Sequence, residues 1–249
     1  MNRIHQRGTD GAVNDPTAHD QAVRNMFSRI SGVYDFMNHA LSFNRDRAWR
    51  RNLVRRLAPD TRDLLDLCAG TGDLALAARS AGRARNAFAA DFCVDMMVAG
   101  RDKGLVDRVP AFGADAQRLP LRDDCVDAVV VGFGVRNWAD LDLGLGECAR
   151  VLRPGGRLLV LDFFRDDPAS TGESRGKPAP LRWWLDRAVP AAGRLLGRDR
   201  AAYAYLTESM ERFVTPDGFV DLLAARGFVD TFVERQTFGI SHLVGGRLA

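Results

Sequence analysis

Apolar runs alternate with amphipathic stretches through most of this chain. Asp63–Leu67, Ala87–Ala90 leading into Asp91, Val109–Gly113 and Val126–Phe133 read as strands. The last is continuously apolar, as expected of a parallel strand covered on both faces. Residues 70–78 and 94–103 carry helical signals between them, and Leu141, Leu145, Cys148 and Leu152 recur at helical spacing. Pro154-Gly155-Gly156 predicts the end of that helix and a further strand over Arg157–Phe163. Such alternation predicts an α/β fold, a parallel sheet with helices on both faces.

The flanks read differently. Residues 1–21 are polar, with Gly8, Gly11 and Pro16, and are predicted to be disordered. A helical N-terminal cap is predicted over 22–58, opening a single domain that runs over 22–249. Residues 166–180 are rich in Asp, Pro, Gly and Ser and predict a loop. Residues 181–210 look largely helical, with a break at Pro190, so 166–213 reads as an insertion on the acceptor side. Thr215-Pro216 predicts a capped helix start and Gly227 its left-handed end. Phe228–Arg235 and Thr237–Val244 predict a closing pair of strands, antiparallel if the turn between them is short.

Composition narrows the class. A chain of 249 residues suits one large domain. No run of 18 apolar residues predicts a membrane span, and the polar start lacks the apolar core of a secretion signal. A net charge of +3 is too small to point to nucleic acid. The positive charge is almost all arginine; Lys103 and Lys177 are the lysines. Cys68, Cys93, Cys125 and Cys148 are widely spaced without a C-x-x-C pair, which predicts neither metal nor disulfide and fits a reducing cytoplasm.

The chemistry-bearing motif is Asp66-Leu-Cys-Ala-Gly70-Thr71-Gly72-Asp73, between a strand and a helix. Glycines there admit a ligand close to the backbone, at the strand ends where ligands of open α/β sheets lie. Two ligands compete. Gly70-x-Gly72-x-x-Ala75, with Asp91 further on, fits a loose dinucleotide fingerprint. A diphosphate, however, needs the helix N-terminus, where Asp73 sits with Asp66 just before the loop. Like charges about 4 Å apart repel by roughly 1 kcal/mol in water and about 4 kcal/mol at an effective dielectric of 20. S-adenosylmethionine brings an ammonium and a sulfonium, which acids attract. Asp91 at the second strand end suits ribose hydroxyls; Asp115-Ala116 after the third suits the adenine edge. Each acid alone could equally cap a helix.

Beyond this loop the chain resembles the ubiquinone/menaquinone biosynthesis C-methyltransferases over roughly residues 22–240. The carrying motifs are Tyr34-Asp35-Phe36-Met37-Asn38 continuing to Arg47 and Trp49, Asp66–Asp73, and Phe133-Gly134-Val135-Arg136-Asn137. Two more are Arg150–Gly156 and the looser Tyr203-x-Tyr205-Leu206. The resemblance implies a Rossmann-like seven-stranded class I methyltransferase sheet, mostly parallel with an antiparallel last strand. It implies S-adenosylmethionine as donor, S-adenosylhomocysteine as product, and contacts from Thr71, Asp91, Asp115 and Ala116. The family's frequent serine before Phe-Gly is Gly132 here, so any side-chain contact from that position is lost. Its common histidine before Arg47 is Asp46, and the chain end from Ser241 departs from the family pattern.

The implied reaction is methylation of a ring carbon of a prenylated hydroquinone, of the demethylmenaquinol or 2-methoxy-6-polyprenyl-benzoquinol type. Arg136 and Asn137 are the first catalytic candidates, Arg136 as a phenolate-stabilising cation or simply half of an ion pair. Tyr34 and Asn38 are candidates to line the cavity or merely to pack the cap. Asp162 and His242 are weaker candidates for a base. A prenylated acceptor places the enzyme at the inner face of the cytoplasmic membrane, with residues 181–198 as an interfacial helix or an ordinary packed one. A homodimer is compatible with the sequence; nucleic acid is not expected. The rival readings are the same fold acting on another phenolic or lipid-amine acceptor, and a non-catalytic scaffold.

Overall fold

The computed structural model describes residues 16–30, 42, 44–165, 205 and 208–249. Helix α1 (Pro16–Ile30) starts six residues before the predicted helical cap, and α2 (Asp46–Arg55) follows. Then come β1 (Asp63–Leu67), α3 (Asp73–Ser80), β2 (Asn86–Asp91), α4 (Val94–Ala99), a 3-10 turn at Gly100–Lys103, α5 (Leu105–Arg108) and β3 (Ala111–Gly113). β4 (Val126–Gly132) leads through a 3-10 turn, Val135–Asn137, to α6 (Leu141–Val151) and β5 (Leu152–Asp162). The chain closes with α7 (Pro216–Ala225), β6 (Phe228–Gln236), a 3-10 turn at Thr237–Gly239, and β7 (Ser241–Leu248).

The seven strands form one sheet in the order β3-β2-β1-β4-β5-β7-β6. β1 to β5 pair in parallel; β7 runs antiparallel between β5 and β6. The strand order reverses between β1 and β4, and the crevice beyond their carboxyl ends is where such sheets bind ligands.

The central strands are mostly apolar because both faces are covered. Ala128, Val130, Leu159 and Leu243 face a layer with Trp49, Leu53, Leu74 and Ala78 of α2 and α3. Val129, Val131, Leu158 and Val160 face the opposite layer, with Leu145 and Cys148 of α6 and Phe219 and Leu223 of α7. Each buried aliphatic side chain there contributes about 1.5–3 kcal/mol of transfer free energy. Thr215 caps α7 as predicted, its hydroxyl accepting from Gly218 N at 3.1 Å, with Pro216 in the first turn. Gly227 ends that region at φ 83°.

Three boundaries differ from the sequence prediction. Pro154-Gly155-Gly156 does not separate helix from strand. α6 already stops at Val151, and Leu152 pairs with Val126 before Arg157 pairs with Ala128. The intervening residues form a bulge, with Gly155 at φ 81°, so the motif bends a strand already begun. The last strand starts at Ser241, not Thr237, because Thr237–Gly239 coil into a left-handed turn. The third strand is shorter than expected, since Val109 and Pro110 precede Ala111 outside the ladder.

Candidate functional site

The glycine loop follows β1 and is wound by positive φ at alternate residues: Cys68 at 57°, Gly70 at 55° and Gly72 at 82°. Gly72 precedes α3, and a Cβ there would lie 2.3 Å from Leu105 Cδ1. Glycine is therefore required by both dihedral and space. Cys68 takes the same left-handed region with a side chain, and its sulfur accepts the indole N–H of Trp138 at 3.2 Å.

The strand-end carboxylates hold this loop. Asp66 is buried, and its Oδ2 accepts from Ala75 N at 2.8 Å in the first turn of α3. Asp91 Oδ2 accepts from Gly70 N and its Oδ1 from Cys93 N, both at 2.7 Å. Asp115 Oδ1 accepts from Gln117 N at 2.8 Å. Each acid thus holds backbone and also lines one of two hollows beside the loop. Burial pushes the Asp66 carboxyl up to about 7, against the Ala75 N–H bond that favours its charge, with Asp73 adding to the rise. Burial also raises Asp91, opposed by its bonds from Cys93 and Gly70.

Two adjoining hollows share Cys68, Gly70 and Gly132 in their walls. The larger, an open cleft of about 710 Å³, runs past Asp91, Asp115 and Ala116 to Asn137. Helix α1 roofs one side of it through Val23, Arg24 and Phe27. There Ser28 donates to Asp95 Oδ2 at 2.6 Å and lies 3.3 Å from Cys93 Sγ, while Arg24 sits 5.5 Å from the Phe92 ring centre. The smaller hollow, about 310 Å³, is lined by Asp66, Thr71, Asp73 and Arg50.

The charge of this smaller hollow corrects the sequence argument. Asp73 is not a bare acid: Lys103 Nζ lies 2.6 Å from its Oδ1 and Arg50 Nη2 3.5 Å from its Oδ2. Lys103 also donates to Thr71 Oγ1 at 2.7 Å. Arg50 in turn pairs with buried Asp46, which accepts from Ser42 at 2.8 Å. Asp73 therefore repels an anion far less than its bare sequence position suggests. Two amides that a diphosphate could use, Gly70 N and Ala75 N, already serve Asp91 and Asp66.

Arg50 and Lys103 escaped the sequence reading. Lys103 carried one signal, a rare lysine in an arginine-rich chain; Arg50 carried none beyond its place beside the Arg47–Trp49 motif.

On the other side, β4 ends at Gly132, and Phe133 turns left-handed at φ 62°. A Cβ on Gly132 would meet Leu74 Cδ1 at 2.9 Å, so Leu74 fills the room a serine would need. Arg136 forms a buried ion pair with Asp162, donates to Phe133 O at 3.1 Å, and lies over the Phe163 ring. Among the described residues, Arg136 Nε and Asp162 Oδ2 are buried without a hydrogen-bond partner. Burial raises the Asp162 carboxyl, and the Arg136 charge opposes that rise. The ion pair that the sequence left open is thus present. Asn137 reaches the cleft wall, its Oδ1 accepting from Tyr205 OH at 3.0 Å. His242 pairs with Asp162 across β5 and β7 and packs edge-on to Phe164. Tyr34, Asn38, the 166–180 loop and the 181–198 segment lie outside the described residues.

Comparison with known proteins agrees with this geometry. A model of the ubiE/COQ5 methyltransferase family matches residues 16–246. The chain is 40% identical to a demethylmenaquinone methyltransferase of Thermus thermophilus over 228 residues, covering 89% of this chain and 100% of that protein. It is 37% identical to the ubiquinone/menaquinone biosynthesis C-methyltransferase UbiE of Geobacter sulfurreducens, covering 92% and 90%. Among solved structures, a possible histamine N-methyltransferase from Thermotoga maritima superposes with a TM-score of 0.61 at 17% identity, covering 90% of this chain and 99% of that one. The [4+2]-cyclase SpnF also reaches 0.61 at 17% identity, covering 92% and 96%. At such identity the likeness concerns the fold alone, which therefore hosts more than one chemistry.

Proposed function

This chain belongs to the ubiE/COQ5 methyltransferase family, and we propose from that premise that it methylates a ring carbon of a prenylated quinol of menaquinone or ubiquinone biosynthesis. The donor is S-adenosylmethionine. The observation that carries the donor assignment is the use of Gly70 N and Ala75 N by Asp91 and Asp66. A loop with two of its amides committed to carboxylates suits a nucleoside bearing an amino-acid arm better than a diphosphate.

The hollows fit such a molecule in two parts. The smaller one mixes Asp66 and Asp73 with Arg50, which suits a zwitterion: Asp66 toward the ammonium and Arg50 toward the carboxylate. The larger one offers Asp91 to ribose hydroxyls and Asp115 with Ala116 to adenine. The donor supplies an already activated methyl group, so positioning the acceptor ring is the protein's main task. Asn137, oriented by Tyr205, is placed to hold the ring hydroxyl at the cleft wall. The Arg136 cation favours the ionised hydroxyl beside it. Asp162, bonded to Arg136 and raised by burial, is the candidate to receive the proton. Tyr34 remains a proposed lining residue.

Titration calorimetry tests the donor: S-adenosylmethionine is expected to bind and NAD not to. Labelled-methyl transfer to demethylmenaquinol and to a methoxy-polyprenyl-benzoquinol then names the acceptor. Tight NAD binding without S-adenosylmethionine binding would falsify the reading.

A further inference from the structure

We propose that the β6–β7 turn, with the start of α2 and the end of β5, docks on the anionic headgroup surface of a phospholipid bilayer, with Phe238 as the inserted anchor. This rests on the reading of a prenylated acceptor, whose tail partitions into lipid.

Phe238 is 68% exposed, the most exposed large apolar side chain among the described residues. Its backbone is not slack. Thr237 and Phe238 stand consecutively in the left-handed region at φ 41° and 58°, which non-glycine residues seldom occupy. The surroundings enforce that geometry. Trp49 Nε1 donates to Thr237 Oγ1 at 2.8 Å, and Arg235 Nη2 reaches Phe238 O at 3.5 Å. Arg235 also covers Gly239, where a Cβ would lie 2.9 Å from Nη2. The turn is clamped on both sides and only the ring is left outside. Strained backbone of this kind, over-determined by its neighbours, is characteristic of positions with a task.

The turn sits at the functional end of the sheet. Gln236 pairs with Ser241, and His242 pairs with Asp162 at the carboxyl end of β5. Three described arginines lie toward that end. Arg235 flanks the turn, Arg45 precedes Trp49 by one helical turn, and Arg165 follows β5; all three are exposed. None of them has a carboxylate partner among the described residues, so their charge is available to a headgroup phosphate. A single rigid aromatic ring among unpaired arginines offers too little apolar area for a stable protein interface. It matches a headgroup layer, where rings insert and arginines meet phosphates. Docked this way, the cleft opens toward the bilayer and the acceptor head reaches Asn137 while its tail stays in lipid.

Co-sedimentation of the full chain with phosphatidylcholine vesicles, with and without phosphatidylglycerol, tests this. Binding is expected only with phosphatidylglycerol, to weaken as ionic strength rises, and to drop about tenfold in Phe238→Asn, a residue that tolerates the left-handed backbone. Arg45→Gln combined with Arg165→Gln is expected to weaken binding without changing the fold. Phe238→Asn is also expected to methylate a detergent-free, short-tailed quinol at the wild-type rate yet lose turnover on a long-tailed quinol embedded in vesicles. Equal binding of wild type and Phe238→Asn, or binding indifferent to salt and to phosphatidylglycerol, overturns the docking edge. Failure of the wild type to methylate the short-tailed quinol overturns the proposed acceptor instead.

Discussion

The glycine-loop side of the cleft and the region at the end of β4 differ in the bonds that hold their charged groups. On the loop side, which the proposed reading assigns to the donor, each strand-end carboxylate is tied to backbone: Asp66 to Ala75, Asp91 to Gly70 and Cys93, Asp115 to Gln117. Beyond β4, which that reading assigns to the acceptor, two pairs join side chain to side chain: Arg136 with Asp162, and Tyr205 with Asn137. A backbone partner survives most substitutions at its own position. A side-chain pair brings together distant parts of the chain, and it is lost when either member goes.

The largest expected effect breaks that second kind of bond. Arg136→Met leaves Asp162 charged and buried, a loss of about 3–5 kcal/mol. At about 2–4 °C per kcal/mol, thermal unfolding should show a fall on the order of 10 °C. Arg136→Met with Asp162→Leu should recover most of that stability but no turnover. A double variant that turned over normally would reduce the pair to scaffolding.

Asp66→Asn comes next, keeping the acceptor for Ala75 N but removing the charge. Donor affinity should fall roughly ten- to a hundredfold, as for a lost charge-assisted bond of about 1.5–3 kcal/mol. The pH dependence carries the sign. Asp66 is ionised in the unfolded chain above the ordinary carboxyl range but keeps its proton in the free folded protein up to about 7. Its contribution to stability is therefore present at low pH and declines as pH rises from about 4 to about 7. Donor binding needs the ionised form, so wild-type affinity should rise from pH 6 to 8. Calorimetry across that window should give a flat line for Asp66→Asn; a flat wild type would remove Asp66 from the ammonium site.

Gly132→Ser probes the boundary between the two regions. Its Cβ would crowd Leu74 Cδ1, the movable end of a buried side chain, so the cost is expected at the low end of overpacking, about 1 kcal/mol, with a matching small loss of donor affinity. Adding Leu74→Ala should restore donor binding measured by calorimetry; no rescue would mean the glycine serves something other than room. The smallest effect belongs to Tyr205→Phe, which removes one of the bonds that orient Asn137, worth about 1 kcal/mol. A kcat reduced about fivefold with KM for the donor unchanged is expected from steady-state kinetics. A change in donor KM alone would place Asn137 on the donor side.

The same contrast explains what the sequence revealed. Largely apolar runs located β1, β2 and β4, because a strand buried on both faces has few polar positions to confuse the pattern. The acids at their ends were legible because each sits immediately after such a run or opens the next turn. The Arg50–Asp73–Lys103 cluster was not, since its members lie 23 and 30 residues from Asp73 and meet through the packing of α2 and the 3-10 turn on α3. The Pro154-Gly155-Gly156 bulge was misplaced because proline and glycine announce a change of direction without saying whether helix or strand makes it. The left-handed Thr237-Phe238 pair violates the preference of both residues, so no local signal could announce it.

The bond from Gly70 to Asp91 also constrains what this scaffold can become. Dinucleotide recognition through that amide would require its release, and Asp91→Ala releases it only by removing the carboxylate proposed to hold the ribose. Trading one cargo for the other thus demands at least a coordinated pair of changes, a new ribose partner together with a freed loop amide. Any single step along that route leaves a pocket that holds neither molecule well.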